Sequence, residues 1–147
     1  MRYESRVLIK RPIDRVWAFM MDPFNLPRAS GSWLGVRPTS ALPLQLGSTW
    51  EARMTVLGFE MHITGTFVEW DPPHYAAISV NGSGIGSGTL SVSLEQDTEG
   101  TTMTRTSEVY PTASPAGLVL RLAALTMRSR THRADQKFKR LLEREPG

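Results

Sequence analysis

Residues 49–70 read TWEARMTVLGFEMHITGTFVEW, in which apolar and polar residues alternate on both sides of Leu57-Gly58. If Leu57-Gly58 is a two-residue turn, the flanking segments pair so that one face is apolar and the other polar. The apolar face then holds the pairs Val56/Phe59, Met54/Met61, Ala52/Ile63 and Trp50/Gly65. The polar face holds Thr55/Glu60, Arg53/His62 and Glu51/Thr64. This register predicts a hairpin in a half-buried antiparallel sheet.

The alternation extends beyond the hairpin, from Ser32 to Tyr110, with turn signals between the runs. Asp71-Pro72-Pro73 is one such turn and residues 97–100 form another. Inward-facing rows are predicted at Ala76, Ile78 and Val80, at Leu90, Val92 and Leu94, and along Met103 to Val109. The pattern predicts a meander of antiparallel strands.

Helical spacing appears before this meander. Val7 to Lys10 is predicted to end a first strand, and Pro12 suits the first position of a helix. The apolar face of that helix consists of Ile13, Val16, Trp17 and Met20. Asp22-Pro23 should end it. Phe24 and Leu26 are predicted to anchor a second short helical turn.

A long helix is predicted after the meander. Ser114-Pro115 provides an N-cap and a first-turn proline, and the helix is expected to run without interruption to about Arg144. One apolar stripe on it consists of Met127, Thr131, Ala134, Phe138 and Leu141.

The composition is that of one ordinary folded domain, predicted to span residues 1–147. The chain is 40% hydrophobic and contains no Cys, which excludes thiolate zinc sites, Cys nucleophiles and disulfides. No apolar run has the length of a membrane helix, and the first ten residues lack the apolar stretch of a signal peptide. A cytoplasmic protein is therefore expected.

This order of elements resembles the START-like superfamily of polyketide cyclase/dehydrase and lipid-transport proteins. The resemblance rests on Ile9-x-x-Pro12-x-x-x-Val16-Trp17, Asp22, Gly47-x-x-Trp50, Val68-Glu69-Trp70-Asp71-Pro72-Pro73 and Phe138-Lys139-Arg140-Leu141-Leu142-Glu143. It implies an α+β helix-grip fold, in which a curved antiparallel sheet wraps around a long C-terminal helix and two short helices follow the first strand. It also implies a cavity between sheet and helix for a small apolar or amphipathic molecule. Trp33 departs from the family pattern by following Pro27 at a longer distance.

Glycines offer independent support for a cavity. The inward parity of Leu90 continues back to Gly88, Gly86 and Gly84, which would leave three inward positions without side chains. The alternative is that these glycines permit close backbone approach or sheet curvature. The residues predicted to line the space are Trp50, Met54, Met61, Ile63, Phe67, Gly86, Gly88, Met103, Arg105 and Met127. The alternative for the apolar ones is an ordinary core.

Arg105 shares the inward parity of Met103 and is the charged candidate in this set. Because an unpaired buried guanidinium is costly, it should face an anionic ligand group or a carboxylate partner. The carboxylates considered are Glu51, Glu69 and Glu108; a bulge that turns Arg105 outward is the remaining alternative.

The sequence gives little indication of a metal site, a phosphate-binding loop or a catalytic residue. The histidines His62, His74 and His132 are predicted to lie on the surface, so no metal site and no cofactor is expected. The run from Gly82 to Gly88 lacks the lysine of a phosphate-binding loop and leads into a strand. No residue stands out as catalytic.

Basic residues are concentrated after Ser114, where the sequence contains eight Lys or Arg and three Asp or Glu. They are Arg121, Arg128, Arg130, Arg133, Lys137, Lys139, Arg140 and Arg144. A solvated face is one interpretation, and transient contact with anionic lipid headgroups is the other. Nucleic-acid binding is not expected, because no aromatic stripe accompanies the charges.

Three functions remain after sequence analysis. The first is a carrier or sensor that binds a small hydrophobic or amphipathic ligand, either lipid-like or aromatic and polyketide-like. The second is an enzyme of the polyketide cyclase or aromatase type, which would need few acid or base groups because folding a flexible chain is a proximity effect. The third is an interaction module without a small ligand. The edges of the predicted sheet could support a homodimer.

Overall fold

Seven antiparallel strands form one curved sheet in the computed structural model, which describes residues 1–22, 25, 28 and 33–144. The strands are β1 (Arg2–Ile9), β2 (Trp33–Pro38), β3 (Thr49–Val56), β4 (Phe59–Asp71), β5 (Tyr75–Gly82), β6 (Gly86–Gln96) and β7 (Thr101–Pro111). Their order is β1-β7-β6-β5-β4-β3-β2, so the first and last strands are neighbours.

The helices lie at both ends of the chain. Helix α1 (Ile13–Met20) follows β1, and α2 (Pro115–Ala123), a 3-10 turn (Ala124–Thr126) and α3 (Met127–Arg144) follow β7. The arrangement is the predicted α+β helix-grip fold. None of the helices within the described ranges has the length and apolar character of a bilayer-spanning segment. Phe24 and Leu26, predicted to form a second short helix, lie outside the described residues.

The central hairpin has the predicted register. Strands β3 and β4 pair Met54 with Met61 and Trp50 with Gly65, as the alternation requires. Leu57 and Gly58 both have positive φ, at 49° and 81°, which is the backbone of a type I′ turn. The apolar face of the hairpin is buried at Trp50 and exposed to solvent next to the turn. Phe59, in the last predicted pair, is 59% exposed.

Helix α3 packs on the concave face of the sheet and supplies much of the core. Phe138 and Leu142 are almost fully buried, together with Ile9 of β1 and Met103 of β7. The ring of Phe138 meets Phe19 of α1 edge-to-face, with 5.7 Å between centroids. Sheet, first helix and last helix therefore share one apolar cluster at this end of the fold.

The C-terminal helix is interrupted, which corrects the prediction of one continuous helix. Its start is as expected, because the Ser114 side chain accepts a hydrogen bond from the Gly117 N–H at 3.0 Å. The break falls at Ala124–Thr126. There the Thr126 hydroxyl donates to the Ala123 carbonyl at 2.9 Å, and such side-chain bonds compete with the helical ladder.

Replacing Leu57 tests the turn. A non-glycine residue at positive φ costs about 1–2 kcal/mol, and asparagine tolerates this conformation better than leucine. Leu57→Asn should therefore raise the free energy of unfolding, by up to about 1 kcal/mol, in urea denaturation. Leu57→Ala is the control, because alanine keeps the penalty. Equal stability of the two variants would contradict a left-handed backbone at this position.

Candidate ligand cavity

A cavity of about 170 Å³ lies between the concave face of the sheet and the last two helices. This main cavity is lined by Met54, Met61, Ile63, Val80, Gly82, Ile85, Gly86, Ser87, Gly88, Leu90, Arg105, Ser107, Val109, Leu120, Ala123, Arg130, Thr131 and Ala134. Strands β3 to β7 form its floor, and helices α2 and α3 cover it. Most of the wall is apolar, and its two charged residues are both arginines.

Gly86 and Gly88 form part of the floor, and the close backbone approach expected as one role of these glycines is observed. A Cβ at Gly88 would lie 2.3 Å from the Glu108 carbonyl oxygen, and one at Gly86 would lie 2.6 Å from that of Tyr110. Strands β6 and β7 thus approach too closely for a side chain at either position. Above Gly86, an added Cβ would also lie 3.2 Å from Cδ2 of Leu120 on α2.

Gly84 corrects the prediction of three inward glycines. It is exposed, has a φ of 74°, and a Cβ there would meet nothing within 4 Å. The parity of β6 begins only at Gly86, because residues 83–85 form the turn from β5. From within this turn, Ile85 packs against Gly82 instead.

The other predicted lining residues separate into three groups. Met54, Met61 and Ile63 border the main cavity. Trp50 and Phe67 border a second cavity of about 100 Å³, the side cavity, which is also lined by Met20, Met21, Val36, Leu44, Ala76, Ile78, Leu90, Ser91, Val92 and Arg105. Met103 is fully buried in the core and borders neither cavity. Met127 begins α3, and its side chain is outside the described part of the chain.

Arg105 points inward from β7, as its parity predicts, and pairs with a carboxylate. Its Nη1 donates to Oδ1 of Asp135 on α3 at 2.9 Å. Asp135 is fully buried, whereas 23% of the Arg105 side chain is exposed. The guanidinium also lies 5.7 Å from the centroid of the Phe138 ring.

This pairing corrects the predicted partners of Arg105. Glu51 pairs with Arg37 outside the main cavity, and Glu108 accepts from the Tyr110 hydroxyl at 2.9 Å. Glu69 is exposed on β4. The three glutamates lie on strands, whereas the actual partner comes from the helix that crosses the sheet. The pairing of β7 is regular along its length, without the bulge that would turn Arg105 outward.

Sequence reasoning missed two polar residues beside Arg105. Asp135 follows Thr131 by four residues and precedes Phe138 by three, so its place within the buried stripe was readable from helical spacing. Ser5 lies directly opposite Arg105 in the β1–β7 ladder and is 7% exposed. The Ser5 hydroxyl and Oδ2 of Asp135 have no hydrogen-bond partner among the described residues.

Arg105 and Leu90 border both cavities. The two spaces therefore adjoin at these side chains, and the guanidinium is the polar group at their boundary. The three histidines lie apart from this region and are exposed, as predicted.

The chain belongs to the polyketide cyclase / dehydrase and lipid transport family, whose sequence pattern matches residues 1–143. This membership agrees with the resemblance read from the sequence motifs. A comparison with curated proteins gives no significant match.

Solved structures with the same fold come from several bacteria. A Thermus thermophilus protein superposes with a TM-score of 0.79 at 14% identity, covering 97% of this chain and 97% of that chain. A conserved Geobacillus kaustophilus protein gives 0.74 at 16% identity, covering 97% and 95%. A Rhizobium leguminosarum protein gives 0.72 at 19% identity, covering 99% and 95%. These similarities establish the fold.

Removing one partner of the buried ion pair should be far more harmful than removing both. Arg105→Met leaves the Asp135 carboxylate buried without its charge partner, which typically costs about 3–5 kcal/mol. Replacing both residues, in Arg105→Met/Asp135→Leu, should restore most of that stability, since apolar replacements of buried pairs are often neutral. Urea denaturation of the single and double variants measures the difference. Additive losses would show that the two side chains do not interact.

Proposed function

We propose that the protein binds a small hydrophobic or amphipathic ligand in the main cavity, as a carrier or sensor. The observation that carries this proposal is a mostly apolar space of about 170 Å³ between sheet and helices. Engineered apolar cavities of about 150 Å³ bind benzene, so a space of this size is large enough for an aromatic ring. Burial of apolar ligand surface provides affinity without catalytic groups.

The family supports a ligand-binding role in general terms. The cavity favours a small ligand over an interaction module, because a space of about 170 Å³ remains between the sheet and the helices. Leu120 of α2 packs over Gly86, and together with Ala123 it lines the space that remains.

A cyclase-type enzyme is the second candidate. Its supporting observation is Arg105 at the cavity wall with Asp135 within hydrogen-bond reach. A positioned guanidinium can polarise a carbonyl oxygen of a substrate. Incubating the protein with its ligand and following the ligand's mass distinguishes turnover from carriage, since cyclisation with dehydration releases water.

Ligand binding is tested by blocking the cavity. Val109 borders the main cavity, whereas its neighbour Tyr110 is 55% exposed on the same strand. Val109→Trp should fill the space and abolish binding, and Tyr110→Trp should bind like the wild type. Native mass spectrometry followed by denaturing extraction identifies any bound molecule, and thermal shift with a panel of hydrophobic ligands measures binding. Equal binding by both variants would place the ligand elsewhere.

We further propose that α2 contacts an anionic membrane surface when ligand enters or leaves. Leu118, Leu122 and Leu125 are exposed by 56%, 51% and 82%, and their spacing places them on one side of the helix region. Arg121 and Arg128 lie beside them and are exposed. Exposed leucines flanked by arginines are typical of surfaces that bind anionic lipids.

Vesicle binding tests this surface. Leu122→Ser/Leu125→Ser should reduce co-sedimentation with vesicles of phosphatidylcholine and phosphatidylserine by several-fold, because apolar insertion is lost. Leu42→Ser/Leu46→Ser is the matched control, since these leucines are exposed by 57% and 61% away from α2. Equal binding of both variants would contradict the membrane role. Sedimentation velocity on the same samples reveals whether the α2 leucines instead cover a second copy.

The oligomeric state is a separate proposal. The two sheet edges are β1 and β2, and pairing of an edge with a second copy would give the predicted homodimer. The mass obtained by sedimentation velocity measures this directly.

A further inference from the structure

The wall of the main cavity carries an uncompensated positive charge. Its lining includes Arg105 and Arg130, and no Asp or Glu belongs to the described lining. Asp135 neutralises the charge of Arg105 from the protein interior, because Asp135 is fully buried on α3 and does not border the cavity. The side chain of Arg130, also on α3, forms no ion pair or hydrogen bond with the described residues. One guanidinium charge at this wall therefore lacks a counter-ion.

Both guanidinium groups can donate hydrogen bonds to an oxygen atom of a ligand. Arginine carries five N–H donors, and Asp135 accepts from one nitrogen of Arg105, Nη1. Asp135 also holds the Arg105 side chain in place, so less conformational entropy is lost when a ligand binds. The fork of N–H groups on arginine matches a carboxylate better than a lysine ammonium does.

We propose that the ligand is an amphipathic monocarboxylic acid whose carboxylate is held by Arg130 and Arg105. This inference rests on the proposed ligand-binding function and names its ligand class. Arg130 supplies the unbalanced charge, and Arg105 supplies N–H donors at the boundary of the two cavities. The apolar body of the acid lies against the apolar part of the lining, which includes Met54, Met61 and Ile63. The lining also contains three residues with uncharged hydroxyl groups, Ser87, Ser107 and Thr131.

The cavity volume restricts the apolar body. About 170 Å³ accommodates one aromatic ring or a short alkyl chain, by comparison with engineered cavities that bind benzene. The two chains of a phospholipid do not fit in this space. A single-ring aromatic acid and a medium-chain fatty acid share the required chemistry.

Matched acids and amides test the proposal by isothermal titration calorimetry. The probes are 3-phenylpropanoate and octanoate, each compared with its uncharged amide at about pH 7.5, where the carboxylic acids are ionised. We expect the acids to bind about tenfold or more tightly than the amides, as one charge-assisted hydrogen bond would provide. The tighter-binding acid distinguishes an aromatic source from a fatty-acid source.

Arg130→Gln is the decisive variant. Because Arg130 is only partly buried, its replacement should leave the fold intact. It should weaken acid binding about tenfold or more and leave amide binding unchanged. Arg133→Gln is the matched control, since Arg133 lies on the same helix, is exposed and borders no cavity. It should bind all four probes like the wild type.

A second variant tests Arg105 without leaving a buried charge. Arg105→Met/Asp135→Leu removes both members of the ion pair and should lower the preference for acids over amides while the amides still bind. Circular dichroism and thermal denaturation verify that this variant folds.

The outcomes separate this inference from the function on which it rests. Amides that bind as tightly as acids, or equal losses of acid binding in Arg130→Gln and Arg133→Gln, would overturn the carboxylate proposal while ligand binding itself stands. Absence of binding by all four probes would overturn it as well. In that case, the Val109→Trp comparison on any ligand extracted from the protein decides whether the cavity binds another class of molecule.

Discussion

The ion pair between Arg105 and Asp135 joins the sheet to the last helix at the boundary between the packed core and the main cavity. Phe138 continues the packed core from Asp135 along α3, whereas Thr131 and Arg130 border the cavity in the opposite direction. Burying two charges is costly unless they meet with good geometry, so their contact constrains how α3 lies on β7. The position of the cavity follows from that constraint.

The cavity exists because neither layer can fill the space beyond this ion pair. On the sheet side, β6 approaches β7 so closely at Gly86 and Gly88 that no side chain fits. On the helical side, the chain leaves the α-helical path at Ala124–Thr126, so α2 covers the cavity instead of extending α3. Helix α2 is apolar on both sides as a result. Its inner side lines the cavity, and its outer leucines remain exposed.

The same architecture recurs at identities of 14–19%, which separates what specifies the fold from what specifies the ligand. Many different sequences can supply what the fold requires, namely alternating burial along the strands, a tight hairpin and an apolar helical stripe. The charges on the cavity wall come from two residues of the described lining, Arg105 and Arg130. Family membership therefore supports ligand binding in general, and the role proposed for Arg130 and Arg105 rests on the cavity of this chain.

The sequence by itself determined the β3–β4 hairpin with its register and the antiparallel meander, because periodicity and turn chemistry are local properties. The helix-grip class followed from the resemblance of its motifs to a known family. The sequence also placed Arg105 on the inward face. Only the tertiary structure decided that the partner is Asp135, thirty residues away on a different element. It also decided that Trp50 and Phe67 face a different cavity from Met54. Strand parity defines a face of the sheet, but which helix covers each part of that face depends on packing between distant segments. The helix break at Thr126 and the turn position of Gly84 were missed because helical spacing and strand parity were extended beyond the points where local hydrogen bonding ended them.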